Sequence, residues 1–146
     1  MVSPHFSLEE VQHTGTGLPN EIPPELMANA ITLAEDVLEP LRVILGPLHI
    51  NSWYRSPEVN KAVKGAKNSA HLEARAADIL PNGSCLDKFK LALTLLDELP
   101  IDQIILEQGR TQWIHVAIPE RGQKPRKQAL VARIGPNGKM VYEPYK

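Results

Sequence analysis

At 146 residues, with 42% hydrophobic and 23% charged side chains, the chain has the size and composition of one globular domain with a real core. A formal net charge of -1 excludes the strongly basic balance of a dedicated nucleic-acid binder, and no run approaches the ~18 apolar residues of a membrane span. The single cysteine, Cys85, can form neither an internal disulfide nor a thiolate zinc cluster, so any metal site here is built from histidines and carboxylates.

Met1-Val2-Ser3-Pro4-His5 has no basic region followed by an apolar core, so no signal peptide is read there, and a target outside the cytoplasm would need another route. Ser7-Leu8-Glu9-Glu10 predicts a helix start, with Ser7 as N-cap and Glu10 completing a capping box. Residues 14–20 are a glycine-containing loop. From residue 24 to about 45, Leu26, Ala30, Leu33, Ala34, Val37, Leu38, Leu41 and Leu45 recur at helical spacing, with Pro40 as an internal kink and Gly46-Pro47 as the stop. Residues 48–53 read as a strand. Pro57 then suits the first turn of a short helix to about residue 63. Residues 75–80 hold a short strand, and a helix is expected over about 86–99 with Leu91, Leu95 and Leu99 on one face. Strands over 101–107 and 112–118 are joined by a tight turn at Gly109, and residues 120–127 form a charged loop. Strands over 129–134 and 139–142 flank Gly135-Pro136-Asn137-Gly138, a hairpin signal. Helices come early and antiparallel strands late, which predicts an α+β fold. The expected organisation is one compact domain over 1–146, with N-terminal helices on a mostly antiparallel sheet, a core over 6–118 and a C-terminal hairpin extension over about 128–143.

The chemistry-bearing stretch runs from Ser69 through His71 to Asp78, with Trp113-Ile114-His115 far downstream. His71, Asp78 and His115 fit a three-ligand zinc set with one position left for water. On spacing alone such a set is common by chance, and a lone histidine in a strand is more often a hydrogen-bonded core residue.

Several ordered motifs add to this. Ile50-Asn51-Ser52-Trp53-Tyr54-Arg55-Ser56-Pro57-Glu58-Val59-Asn60, Gly65-Ala66-Lys67-Asn68-Ser69-Ala70-His71 and Asp102-Gln103-Ile104-Ile105-Leu106-Glu107 together resemble the zinc D-Ala-D-Ala carboxypeptidase family, peptidase M15. The likeness is to its short single-domain phage and bacterial members, endolysin peptidases among them. It covers roughly residues 6–118.

The resemblance implies one zinc ion on His71, Asp78 and His115. It also implies an Arg55 guanidinium aimed at the developing oxyanion, and Ser69 as a substrate contact, although a hydroxyl there also caps turns. Trp113 and Trp53 are pocket walls or core, and Gln112 is a further candidate for substrate contact. The implied function is hydrolysis of peptide bonds in the peptidoglycan stem by a D-Ala-D-Ala carboxypeptidase or an endolysin-type endopeptidase. The implied protein is a monomer with no nucleic-acid or membrane partner, made as a phage protein in the host cytoplasm or carried in the virion.

Two positions depart from the family pattern. Ala74 stands where glycine is frequent, a change tolerated if φ there is negative. Gln112 stands three residues before the last histidine, where several members carry their acid/base, and an amide cannot take a proton. If residues 108–111 form the turn, Glu107 pairs across the hairpin with Gln112 and brings a carboxylate to that place. The same residue also reads as a solvated strand-end glutamate. Glu73 is a weaker alternative inside the ligand loop. His5, His13 and His49 read as surface or packing residues. Arg121, Lys124, Arg126 and Lys127 are either a contact for anionic wall polymers or a solvated loop. A different class of function, a zinc-containing module that binds peptidoglycan or builds a phage particle without catalysis, is what Gln112 would favour.

Overall fold

The computed structural model describes residues 1–146. The capping box forms as expected: the Ser7 hydroxyl accepts from the Glu10 N–H, the Glu10 side chain answers at the Ser7 N–H, and helix α1 (Leu8–Val11) follows. The long apolar run is one continuous helical rod in several parts. A 3-10 turn at Pro24–Leu26 leads into α2 (Met27–Leu33), a π-helical stretch (Ala34–Leu38) and α3 (Glu39–Leu45). Pro40 has no N–H for the carbonyl one turn back, and its ring crowds that carbonyl. The wider π turn just before it absorbs the defect, with the Glu39 N–H reaching back to the Ala34 carbonyl. Ala30, Leu33, Ala34, Val37, Leu38, Leu41 and Leu45 form the buried stripe that the spacing predicts.

Helix α4 (Pro57–Ala62) starts on a Ser56 cap. Helix α5 (Cys85–Leu93) is shorter than the expected 86–99 run and buries Cys85, Phe89 and Ala92 instead of Leu91. At its end the Thr94 hydroxyl donates to the Leu91 carbonyl at 2.6 Å, a side-chain bond that competes with helix continuation.

The strands are β1 (Leu48–Ser52), β2 (Ala76–Pro81), β3 (Gln103–Gln108), β4 (Gln112–Ala117), β5 (Gln128–Ile134) and β6 (Met140–Pro144). They form one sheet in the order β1-β2-β4-β3-β5-β6, antiparallel except where β5 runs parallel to β3. The C-terminal hairpin is therefore part of the sheet rather than an appendage to it. One face carries Ile79, Ile104, Leu106, Ile114 and Val116 into a common core with the helices, each burial contributing about 1.5–3 kcal/mol. Alternation sends the neighbours Asp78, Ile105, Glu107, Trp113 and His115 to the opposite face. The class is α+β, as the sequence predicts.

Candidate metal centre

His71 is placed by a 3-10 turn, Ala70–Glu73, whose N-cap is Ser69; the Ser69 hydroxyl accepts from the His71 N–H at 3.2 Å. Ala74 closes that turn in the left-handed region, φ 59°, which corrects the expectation of a negative φ. An L-residue there costs roughly 1–2 kcal/mol. The fully buried Ala74 methyl offsets about 0.8 kcal/mol of it. The turn delivers the chain straight into β2, where Asp78 lies in register with His115 of β4.

The His71 ring is fixed by a bond of 2.6 Å between Nδ1 and the Trp53 carbonyl. A carbonyl only accepts, so Nδ1 carries the proton and the Nε2 lone pair faces Asp78 Oδ1 at 3.3 Å. The same oxygen meets His115 Nδ1 at 2.9 Å, and Asp78 Oδ2 receives the Arg55 Nη2 at 3.2 Å. Burial would raise the Asp78 carboxyl, but its polar partners outweigh it and hold it below the usual carboxylate range, so it stays a carboxylate. Burial pushes the His71 imidazole down, towards the neutral form that ligates metals.

A neutral His71 thus aims a lone pair at a carboxylate, two acceptors face to face, and a cation between them resolves the opposition. The donor atoms of His71, Asp78 and His115 all lie within 4.8 Å of one another. Tetrahedral zinc ligands at ~2.0–2.1 Å from the metal stand roughly 3.4 Å apart, close to the two separations at Oδ1. Two imidazoles and one carboxylate are a zinc-type donor set. The residues fit the metal.

The cluster sits in the wall of a cavity of about 960 Å³, whose lining includes Arg55, Lys64, Ser69, Glu107, Trp113 and Tyr142. Arg55 is held by the Ser52 hydroxyl at 3.1 Å, the Asn60 amide oxygen at 3.4 Å and Asp78, so three of its five guanidinium N–H groups are engaged and two remain. Glu107 is buried on the cavity face. Burial and the nearby Asp78 push its carboxyl above the usual glutamate value, against the pull of His115, Trp113 and Tyr142. Its neighbour across the hairpin is Trp113, not Gln112: Gln108 pairs with Gln112, so only residues 109–111 make the turn. Gln112 has the parity of the helix-packed face and is not among the residues that line the cavity; its carbonyl accepts the Cys85 thiol at 3.6 Å.

The remaining expectations divide. Trp53 is fully buried core and donates to the Ala74 carbonyl, while Trp113 lines the cavity. Glu73 pairs with Arg75 at the surface. His5 binds Glu39, and His49 is exposed on β1. In the basic loop Arg126 is paired with Asp102 and Lys127 donates to the Asp97 and Leu99 carbonyls, which leaves Arg121 and Lys124 without an ion pair.

Asn60, which the sequence places in the helix-start motif without a role, braces Arg55 from α4 and binds the Ala66 carbonyl. The C-terminal hairpin brings Leu130, Met140 and Tyr142 to the cavity. The hairpin itself was predictable from Gly135-Pro136-Asn137-Gly138, but its parallel pairing with β3 left no local signal. No helix is long and apolar enough to cross a membrane. Residues 4–117 match the family model described as Peptidase M15. No curated protein matches the chain.

Proposed function

The chain belongs to the peptidase M15 family, and from that premise we propose that it is a zinc peptidase hydrolysing peptide bonds in the stem peptides of bacterial peptidoglycan. The observation that carries the reading is the convergence of His71, Asp78 and His115 in a cavity wall with a buried glutamate on the same sheet face. When bound there, zinc supplies a Lewis acid for the scissile carbonyl and lowers the pKa of a water towards neutrality.

The protein's own residues supply the rest. Glu107, ionised and facing the cavity, accepts the proton of the attacking water on a carboxylate oxygen and later returns it to the leaving amine. Its raised pKa makes it a better base than an ordinary glutamate near neutral pH. Arg55 offers its two remaining N–H groups to the oxygen on which negative charge develops. Ser52, Asn60 and Asp78 fix its plane beforehand, so little reorganisation is needed at the moment of reaction. The Ser69 hydroxyl already caps the His71 turn, so it shapes the ligand loop while its side chain borders the cavity.

The Arg55 brace makes a sharp prediction. A Cβ on Gly65 would meet Asn60 Oδ1 at 2.0 Å and Arg55 Nη1 at 2.9 Å, so both side chains would have to move. Gly65→Ala is expected to lower kcat/KM by about 10- to 100-fold, the cost of a misplacement near 1 Å. Zinc content measured on the same sample should be unchanged. A wild-type rate would show that the position of Arg55 does not matter.

The compact catalytic domain suits a phage lysis enzyme or virion-associated lysin that acts on the wall as a monomer, with no nucleic-acid or membrane partner. The test is to incubate the zinc-loaded protein with purified peptidoglycan and soluble stem peptides, with and without chelator, and to read products by mass spectrometry. Chelator-sensitive release of new termini is the expected result, and the product masses separate terminal D-Ala removal from internal cleavage. Stoichiometric zinc with no cleavage across that panel would overturn the peptidase reading in favour of a binding or structural module.

A further inference from the structure

The hairpin β5–β6 lies beyond the segment matched by the family model, residues 4–117. It nevertheless reaches the cavity through the register of the sheet. Trp113 pairs with Glu107, Glu107 with Ala132, and Ala132 with Tyr142, so these four residues form one row across β4, β3, β5 and β6 on the cavity face. The row has a gap in it. Ala132 is fully buried and ends at a methyl group. A longer residue there would stand between its neighbours. With alanine in place, the Tyr142 ring leans over the gap and its hydroxyl donates to Glu107 Oε1 at 3.4 Å. On the other side of Glu107, the buried Trp113 indole N–H lies near enough to the carboxylate to draw its pKa down but does not reach hydrogen-bond geometry, so Tyr142 is the donor that does.

We infer that Tyr142, supplied by the C-terminal hairpin, is a positioning residue for Glu107: it occupies Oε1 and leaves the other carboxylate oxygen to face the cavity. This rests on the reading of Glu107 as the base of a zinc peptidase. A carboxylate with no side-chain donor can rotate about its last bond and present either oxygen in many orientations. One phenolic donor at Oε1 selects among those orientations. The bond at 3.4 Å is long, as such bonds often are before substrate closes the site. Tyr142 is half-exposed and its ring adds little to the core, so its hydroxyl can be removed without unfolding the protein.

The experiment uses the full-length zinc-loaded chain and two readouts. The first is steady-state turnover of a soluble stem pentapeptide ending in D-Ala-D-Ala, or of whichever stem fragment the wild type cleaves. Tyr142→Phe should lower kcat on the order of 10-fold, the loss of one hydrogen bond to a charged group, with KM within about 2-fold and zinc content unchanged. A kcat within about 2-fold of wild type overturns the inference.

The second readout needs no turnover: the ultraviolet titration of the Tyr142 phenol, obtained by subtracting the Tyr142→Phe titration from that of wild type. Burial and then the Glu107 carboxylate hold this phenol above the usual tyrosine range. Glu107→Gln should therefore move its titration to lower pH. A phenol that titrates identically in both backgrounds shows no coupling and overturns the inference. If the wild type cleaves nothing, the peptidase reading fails by itself and the phenol titration alone decides whether Tyr142 holds Glu107.

Discussion

His115→Ala is expected to remove zinc from the protein and reduce hydrolysis to background while leaving the fold intact. His71 and Asp78 are both buried and each has further duties: His71 is tied to the Trp53 carbonyl, and Asp78 neutralises Arg55. Removing Asp78 would strand a partly buried guanidinium, a loss that reaches about 3–5 kcal/mol for a buried pair, and would confound metal loss with unfolding. His115 is the least buried of the three, its side chain 13% exposed on β4, and its side-chain hydrogen bond is to Asp78. Tight zinc binding of about 10–16 kcal/mol spread over four ligands assigns about 2.5–4 kcal/mol to each. One lost imidazole should then weaken zinc affinity on the order of 100- to 1,000-fold. Metal titration with a competing chelator measures the first effect, and circular dichroism checks the fold. Wild-type zinc affinity in His115→Ala would show that the ion, if bound, is held elsewhere.

The sequence carries the parts of this site that local chemistry dictates. The capping box at Ser7 and Glu10, the buried stripe from Ala30 to Leu45 and the alternation around His115 are set by nearest neighbours, and the structure reproduces them. His71 and Asp78 were legible as a pair because a turn followed by a strand brings both to one place. What could not be read is register. A shift of one residue in the β3–β4 turn decides whether Glu107 faces Gln112 or Trp113, and residues 108–112 accommodate a four-residue or a three-residue turn equally well. The same holds for the end of α5, where the Thr94 hydroxyl tips a marginal balance. It holds most strongly for the hairpin. Parallel pairing of β5 with β3 joins residues 25 apart without a turn to announce it, for example Gln103 with Gln128. Tyr142 therefore had no reason to be associated with Glu107 until the sheet was assembled.

Glu107→Gln should lower kcat by about 100- to 10,000-fold, the usual contribution of a general base, with zinc content unchanged because Glu107 is not among the three clustered donors. The stability effect has the opposite sign. A carboxyl whose folded pKa lies above its unfolded value favours the folded state when protonated, and that contribution is lost as pH rises through the folded pKa. At neutral pH the ionised Glu107 is therefore a cost to folding, caused first by burial and then by Asp78. A neutral amide of the same shape removes that cost. The metal-free Glu107→Gln protein should accordingly melt no lower than metal-free wild type at pH 7, while turnover by the zinc-loaded form collapses. This pairing of effects separates a base from a merely structural carboxylate, whose loss would lower stability and leave kcat nearly intact. Gln112→Ala is the matched control, because its side chain has the parity of the other face of the sheet and borders no part of the cavity. It should stay within about 2-fold of wild-type kcat, the margin for a residue that touches neither substrate nor ligand. If Gln112→Ala were the damaging substitution and Glu107→Gln the silent one, the base would have to be sought away from the β3–β4 row altogether. The buried charge on Glu107 is a folding cost that packing does not explain and that the proposed general-base role would.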